Sequence, residues 1–497
     1  MPQYGLRCQS GPLIPYVMPK QLLSLIYAAV LIVSALPAAE NPANRPPNVI
    51  VMLIDDMGMT DLSCYGSKFY ESPNIDQLAR DGVRFTQGYS ACTVCSPTRA
   101  ALLTGKYPAR LHLTDWISGH VRPHAKLKIP EWTQFLAFEE ITLAEQLKSA
   151  GYATASIGKW HLTPGLKEGD EAYYPDKHGF DLNIGGYHRG QPPSYVSPYG
   201  IPTLKDGPKG EFLTDREAAE SVKFIEANKD KPFFLYLPHY AVHQPIAGKA
   251  DVIAKFKAKD TTGLKQKNAT YAALISTVDE SLATIRAALK RLKLEDNTII
   301  IFNSDNGGLL PTTDNSPLRA GKGSAYEGGV RVPLIVHWPG VTKAGTIENT
   351  PAISLDLYPT ILEMTGIKPL QSQVDGVSLA PLLKSGAKPD REAIFWHYPH
   401  YHPGGATPYS AVRSGDYRLV HFYEDGRDEM YNLALDVSEA RDLAATEPDR
   451  AKALRSKLDA WLKSVDAQLP TPNPAYDATL DQAGKGKAKK NSLKVGE

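Results

Sequence analysis

Cysteine is scarce: there are four in 497 residues, too few for a disulfide scaffold, so the fold has to rest on a packed core. Charge of one sign is missing as well. With 55 Lys and Arg against 54 Asp and Glu the formal net charge is +1, which leaves no electrostatic case for a nucleic-acid partner, and each basic residue has to be argued at its own position. No apolar run is as long as a typical membrane span; Leu22 to Leu36 is short for one. Internal repeats are absent, which excludes solenoids and propellers. Gly158-Lys159 opens no P-loop, because the glycine spacing is wrong and Trp160 stands where Ser or Thr is required.

The short apolar run has a use of its own. Lys20 precedes it and small residues Ala35, Ala38 and Ala39 close it, the pattern of a secretory signal peptide cleaved near Ala39, with an uncleaved anchor as the alternative. Residues before Met18 fit a signal n-region poorly, so Met18 is a second candidate start. The expectation is an exported protein, periplasmic or secreted, with no stable membrane insertion after cleavage. Cys8 departs with this leader (residues 1–39), leaving Cys64, Cys92 and Cys95.

The length exceeds one average domain. Four apolar segments read as buried strands that each end in polar groups: Asn48 to Ile54 before Asp55-Asp56, Tyr152 to Ile157 before Lys159 and His161, Pro232 to Leu237 before His239 and His243, and Thr298 to Phe302 before Asp305-Asn306. Between them, Tyr271, Ile275, Val278, Leu282, Ile285, Leu289 and Leu292 form one helical stripe, and Thr142 to Ala150 is a shorter helix stopped by Gly151. This predicts an α/β fold: a large, mostly parallel sheet flanked by helices over residues 45–385, with ligands collecting beyond the carboxyl ends of the strands. After a Ser385-Gly386-Ala387-Lys388-Pro389 linker, Ala411 to Phe422 reads as a hairpin and Arg450 to Val465 as a helix, a smaller antiparallel subdomain over 390–470. Residues 471–497 read as a disordered basic tail.

Cys95-Ser96-Pro97-Thr98-Arg99 followed by Ala100-Ala101-Leu102-Leu103 carries the most chemical information. Ser96 is a good N-cap and Pro97 suits the first helical position, so Cys95 is expected just outside a helix N-terminus, where free N–H groups favour an anion or a thiolate. Arg99, in the first turn, gains nothing from the helix dipole and is expected to serve a nearby anion. Asp55, Asp56, Asp305 and Asn306 offer only hard oxygen ligands, which suit Ca²⁺ or Mg²⁺ rather than zinc. A His239–His243 zinc pair, and turns or caps at the aspartate pairs, are the competing interpretations.

Cys95-x-Pro97-x-Arg99 running into Ala100-Ala101-Leu102-Leu103-Thr104-Gly105, together with Gly151 to His161, resembles the two signatures of the type I sulfatases, and the similarity runs from about Pro47 to Leu383. The resemblance implies an alkaline phosphatase-like fold, Cys95 oxidised to formylglycine (3-oxoalanine) by a formylglycine-generating enzyme, and one calcium ion at Asp55, Asp56, Asp305, Asn306 and position 95. Related two-zinc phosphatases carry His where Asn306 stands. The resemblance further implies that a hydroxyl of hydrated formylglycine attacks sulfur with help from Asp305. It implies that His243 protonates the leaving oxygen, that His161 takes a proton as sulfate is released, that Lys159 and Lys322 hold sulfate oxygens, and that Arg99 orients the formylglycine. An oxidised Cys95 cannot form a redox pair with Cys92; Cys64 and Cys92 can pair or stay as thiols.

For the substrate, His178 to Tyr187, then His188 and Arg189, and the run Trp396 to His402 with His397 offer groups suited to a sugar ring. The expected substrate is a sulfated carbohydrate, such as a galactose or N-acetylgalactosamine ester. Alternatives are a formylglycine-dependent phosphonate or phosphodiester hydrolase and an inactive sulfated-sugar binding protein. The intact acid, base and cation set argues against the latter.

Overall fold

The computed structural model describes residues 1–5, 9–13, 15, 45–166 and 168–482. Most of the leader expected over 1–39 lies outside the described residues, as does the chain after 482. No helix among the described residues is long and apolar enough to cross a membrane.

Pro46–Glu497 forms one compact unit, built on eight strands: β1 (Asn48–Ile54), β2 (Val83–Phe85), β5 (Ala153–Ile157), β6 (Leu182–Ile184), β7 (Phe233–Pro238), β8 (Thr298–Ser304), β9 (Leu334–His337) and β10 (Thr346–Glu348). Their order is β10-β2-β9-β8-β1-β7-β5-β6. The sheet is mostly parallel, as expected; β9 alone runs against both neighbours. Short pairs complete the sheets, β3 (Gly88–Tyr89) with β11 (Ala352–Ile353) and β4 (Leu127–Lys128) with β16 (Thr471–Pro472).

All seven residues of β1 are buried, because helices cover both faces of a parallel sheet. Ile50, Met52 and Ile54 share a core with α1 (Pro73–Asp81), α4 (Leu213–Ala227) and α5 (Ala269–Arg291). Val49, Val51 and Leu53 face the other way, toward α2 (Cys95–Thr104), α3 (Leu143–Ser149) and α6 (Leu357–Thr365). The stripe on α5 is buried from Tyr271 to Leu289, and the Asn268 side chain caps the helix by accepting from Tyr271 N at 3.1 Å. Thr142 and Glu145 form a capping box on α3, and Gly151 follows at positive φ.

The second sheet is antiparallel, with β12 (Ile394–Tyr398), β13 (Tyr409–Ser414), β14 (Tyr417–Phe422) and β15 (Asp428–Asn432) in sequence order, backed by α7 (Pro448–Ser464). Its core is shared with Tyr89, Val94 and Ala101. Two expectations need correction. The first part of the tail, up to residue 482, is ordered: β16 pairs with β4, Asn473 Nδ2 donates to Ala125 O at 2.7 Å and Asp481 pairs with Arg122. Helix α2 begins at Cys95 with Val94 at its N-cap, because the Ser96 hydroxyl donates to His161 O at 2.9 Å and accepts from Ile117 N at 3.2 Å instead of capping.

Leu282 on α5 is fully buried, whereas Leu435 is 87% exposed. Urea unfolding should therefore show a loss of ~2–5 kcal/mol for Leu282→Ala and a change within ~0.5 kcal/mol for Leu435→Ala.

Candidate active site

Ile54 and Ser304 are partners in the β1/β8 ladder, so the Asp55-Asp56 and Asp305-Asn306 pairs leave the sheet side by side. Asp56 N donates to Asp305 Oδ1 at 3.2 Å, and Asn306 Nδ2 donates to Asp56 Oδ1 at 2.8 Å. Beyond β5 the chain turns at Gly158, where φ is +118° and a Cβ would overlap the Pro238 carbonyl oxygen. Only glycine permits that approach, and it delivers Lys159 and His161 to the same edge.

Each carboxylate meets a buried cation. Lys159 Nζ lies 2.7 Å from Asp55 Oδ2, Lys322 Nζ lies 2.6 Å from Asp56 Oδ1, and Arg99 holds Asp305 Oδ2 through Nε at 3.0 Å and Nη2 at 2.7 Å. A third Arg99 bond, from Nη1, goes to Lys159 O at 3.1 Å. Burial drives the Asp55 carboxyl well above its usual range, with Lys159 opposing and Asp305 and Asp56 adding to the rise. Burial acts on Asp56 too, but Lys322 and His243 outweigh it and hold that carboxyl well below. The Lys322 ammonium is driven up by Asp56 against its own desolvation.

Cys95, Cys64 and Cys92 are free thiols. Burial raises the Cys95 thiol, with Lys159 opposing, so the helix terminus does not make it a thiolate. His161 Nδ1 sits 3.3 Å from Cys95 Sγ, and His161 Nε2 is bonded to Ile117 O. A carbonyl accepts only, so Nε2 carries the proton and Nδ1 presents its lone pair to position 95. Burial and Lys159 keep this imidazole neutral by lowering it well below its usual range.

Cys95, His161, His243 and Lys322 open into a cavity of about 820 Å³ whose outer wall includes His188 and Arg189. His188 Nδ1 lies 3.0 Å from Asp170 Oδ2. His397 is not there. It is buried in β12, bonded to Ser410 Oγ at 2.7 Å and Gln468 O at 2.9 Å, because the next turn of chain, not the strand, reaches the cavity. His402 does so in its place; nothing in the run of six aromatic or imidazole residues distinguished it. The zinc-pair interpretation fails, since His239 is enclosed by Glu217 Oε2 at 2.6 Å and Ser281 Oγ at 3.0 Å.

Asp55 Oδ1 and Asn306 Oδ1 are buried without a hydrogen-bond partner, and ligand atoms of Asp55, Asp56 and His243 lie within 4.8 Å of one another. Two orphaned oxygens beside three carboxylates fit a hard divalent cation.

A family model described as Sulfatase matches residues 47–367, and one described as N-sulphoglucosamine sulphohydrolase, C-terminal, matches residues 321–468. A "Sulfatase" of Formosa agariphila is 34% identical over 84% of this chain and 89% of its own. The "N-acetylgalactosamine-6-sulfatase" of Canis lupus familiaris is 32% identical over 79% of this chain and 75% of its own. The solved structure of "Ps i-CgsB in complex with k-i-k-neocarrahexaose" is similar with a TM-score of 0.71 and 28% identity, covering 90% of this chain and 99% of that one.

Arg99 is wholly buried between Asp305 and Asp55. Removing it leaves buried carboxylate charge uncompensated, so Arg99→Ala should destabilise the protein by roughly 3–5 kcal/mol in urea unfolding, and Arg99→Lys by less.

Proposed function

Because the chain belongs to the sulfatase family, and is thereby a sulfuric ester hydrolase, we propose that it releases sulfate from sulfated saccharides, with position 95 as the nucleophile once oxidised to formylglycine and with one calcium ion. The observation that carries this reading is the meeting of Cys95 with a neutral, lone-pair-bearing His161 Nδ1 at 3.3 Å in a cavity walled by Lys322 and His243.

Asp55, Asp56, Asp305, Asn306 and position 95 would hold the calcium, which fits their oxygen-rich donor set. The ion and the oxidised side chain supply a polarised nucleophilic oxygen. Lys159 and Lys322 bind sulfate oxygens as charge builds on them. His161 Nδ1 takes up a proton from position 95, while Nε2 keeps its own and donates it in a hydrogen bond to Ile117 O. His243, once protonated from solvent to the imidazolium, gives the Nε2 proton to the departing sugar oxygen, which would otherwise leave as an alkoxide. Arg99 does not reach for the substrate; it orients Asp305.

A saccharide substrate is supported by the relatives, one named for N-acetylgalactosamine 6-sulfate and one solved with a neocarrahexaose, and by the hydrogen-bonding groups of His188, Arg189 and His402 in the cavity. Export through the 1–39 leader and maturation by a formylglycine-generating enzyme belong to the same proposal.

Co-expression with a formylglycine-generating enzyme, then mass analysis of the tryptic peptide 85–99, should show sulfur lost from position 95 and retained at Cys92. A Cys95 that stays an alkylatable thiol beside a competent maturation enzyme sinks the nucleophile assignment. In the matured enzyme, His161→Gln should lower kcat for sulfate release from sulfated galactose or N-acetylgalactosamine by ~10²–10⁴-fold, the usual worth of a general base. Chelation with EGTA should abolish turnover, and calcium should restore it; full activity after exhaustive chelation would refute the metal.

A further inference from the structure

Trp116, Ile117 and Ser118 line the cavity, and the carbonyl of Ile117 decides which nitrogen of His161 carries the proton. The position of that carbonyl is set from two sides. On the catalytic side, Ile117 N donates to Ser96 Oγ at 3.2 Å. On the other, the preceding residues are anchored to the C-terminal sheet. Asp115 Oδ1 accepts from Tyr398 OH at 2.8 Å and from Trp116 N at 2.9 Å, and Thr114 Oγ1 is bonded to His400 Nε2 at 2.7 Å. Asp115, Tyr398 and His400 are all fully buried.

Two atoms in this cluster are left over. Asp115 Oδ2 and His400 Nδ1 have no hydrogen-bond partner and stand 3.9 Å apart, too far for a hydrogen bond and too close for a bridging water. A proton taken from solvent onto Oδ2 gives the carboxyl a donor aimed at that imidazole nitrogen, and closing the gap draws Asp115 and its loop toward the C-terminal sheet.

We propose that Asp115 is a positioning residue: ionised, it keeps the Thr114–Gly119 loop where Ile117 O fixes His161 with Nδ1 open to position 95, and protonated, it releases that hold. The proposal rests on the hydrolysis proposed above. Burial pushes the Asp115 carboxyl up to about 7, against the Tyr398 and Trp116 donors, so its ionisation falls in the working range. The other titratable groups facing it do not compete there. Burial holds His400 down to about 3, and burial raises the Tyr398 hydroxyl and the Cys92 thiol far above neutrality; His120 approaches through its backbone.

The sign follows from a raised carboxyl: activity rises with pH as Asp115 ionises. In the matured enzyme kcat should climb through a limb near pH 7, with KM little changed. Asp115→Asn should erase the limb and lower kcat at pH 8 by ~10-fold. Tyr398→Phe removes a donor to the carboxylate and should move the limb up by ~1 pH unit. Long-range ¹H–¹⁵N spectra of histidine-labelled protein with Cys95 unmodified, assigned through His161→Gln, should show the Nε2–H tautomer at pH 8 and a mixture in Asp115→Asn. A wild-type profile without the limb, a limb that persists in Asp115→Asn or stays put in Tyr398→Phe, or an unchanged His161 tautomer overturns the proposal. Should Asp115→Asn fail to fold, the Tyr398→Phe shift decides. Absence of sulfate ester turnover in the wild type would instead sink the function, and the tautomer would still decide the role of Asp115.

Discussion

Three buried carboxylates meet three cations, of which only Lys322 opens into the cavity, and neither set is tolerable without the other. Asp55, Asp56 and Asp305 are at most 2% exposed, and Lys159 and Arg99 are wholly buried. An uncompensated ion in such a place costs several kcal/mol, so the site survives only if every charge is delivered to its partner within hydrogen-bond range. That requirement explains the parallel sheet. Strands β1, β5, β7 and β8 run side by side and in one direction, so the ends of β1, β5 and β8 place four of the six charges on one edge without a long loop. The same requirement explains why Gly158 lies against the Pro238 carbonyl. A wider turn would carry Lys159 away from Asp55.

Lys322 is the one cation of the three that no strand end and no α2 residue supplies. It sits on a loop, and the C-terminal sheet holds that loop. Arg418, fully buried in β14, bonds Glu439 Oε1 at 2.7 Å, and Glu439 Oε2 accepts from Glu327 N at 2.7 Å. Tyr89 OH donates to Glu327 Oε2 at 2.8 Å. Arg319, at the other end of the loop, stacks on Tyr326 at 3.6 Å and donates to Glu439 O at 2.9 Å. Gly323, at positive φ, leaves no room for a Cβ against the His402 ring. The loop between β12 and β13 therefore brings His402 and Pro403 to the cavity wall, while the sheet behind it holds the loop that carries Lys322. Burial raises the Glu439 carboxyl to about 7, with Arg418 pulling the other way.

Strand-end chemistry was legible in the sequence because a buried parallel strand is written as an unbroken apolar run, and its last residue announces where the next polar group will sit. Asp55, Asp56, Lys159, His161, Asp305 and Asn306 were found that way, and their convergence needed only the rule for open α/β sheets. Cys95, Arg99 and Lys322 depended on resemblance, since a helix start and a glycine loop have many uses. What stayed hidden was decided by tertiary bonds. Ser96 has every local mark of an N-cap, but its hydroxyl is taken by His161 and Ile117. His397 and His402 lie in one run, and only the point where β12 stops, at Tyr398, decides which reaches the cavity. Residues 471–482 have a tail's composition and are ordered because β4 offers an unpaired edge.

His243 is held neutral by the same electrostatics. Its Nδ1 is bonded to Gln244 O at 2.7 Å, so Nδ1 carries the proton of the neutral ring and Nε2 faces Asp56 Oδ2, 3.6 Å away, with a lone pair. Burial and the Lys322 and Lys159 cations push this imidazole down to about 3, while Asp56 pulls the other way. A proton donor at Nε2 has to be the imidazolium, which that balance disfavours at neutral pH. Under the proposed function, an anionic ester held by Lys159 and Lys322 would offset the two cations that lower the ring. Each pKa unit recovered is about 1.4 kcal/mol, and one opposite charge nearby shifts a group by 1–3 units. Under the proposed hydrolysis, a bound anion would ease protonation of Nε2 without by itself completing it at neutral pH, and without that anion the imidazole stays neutral.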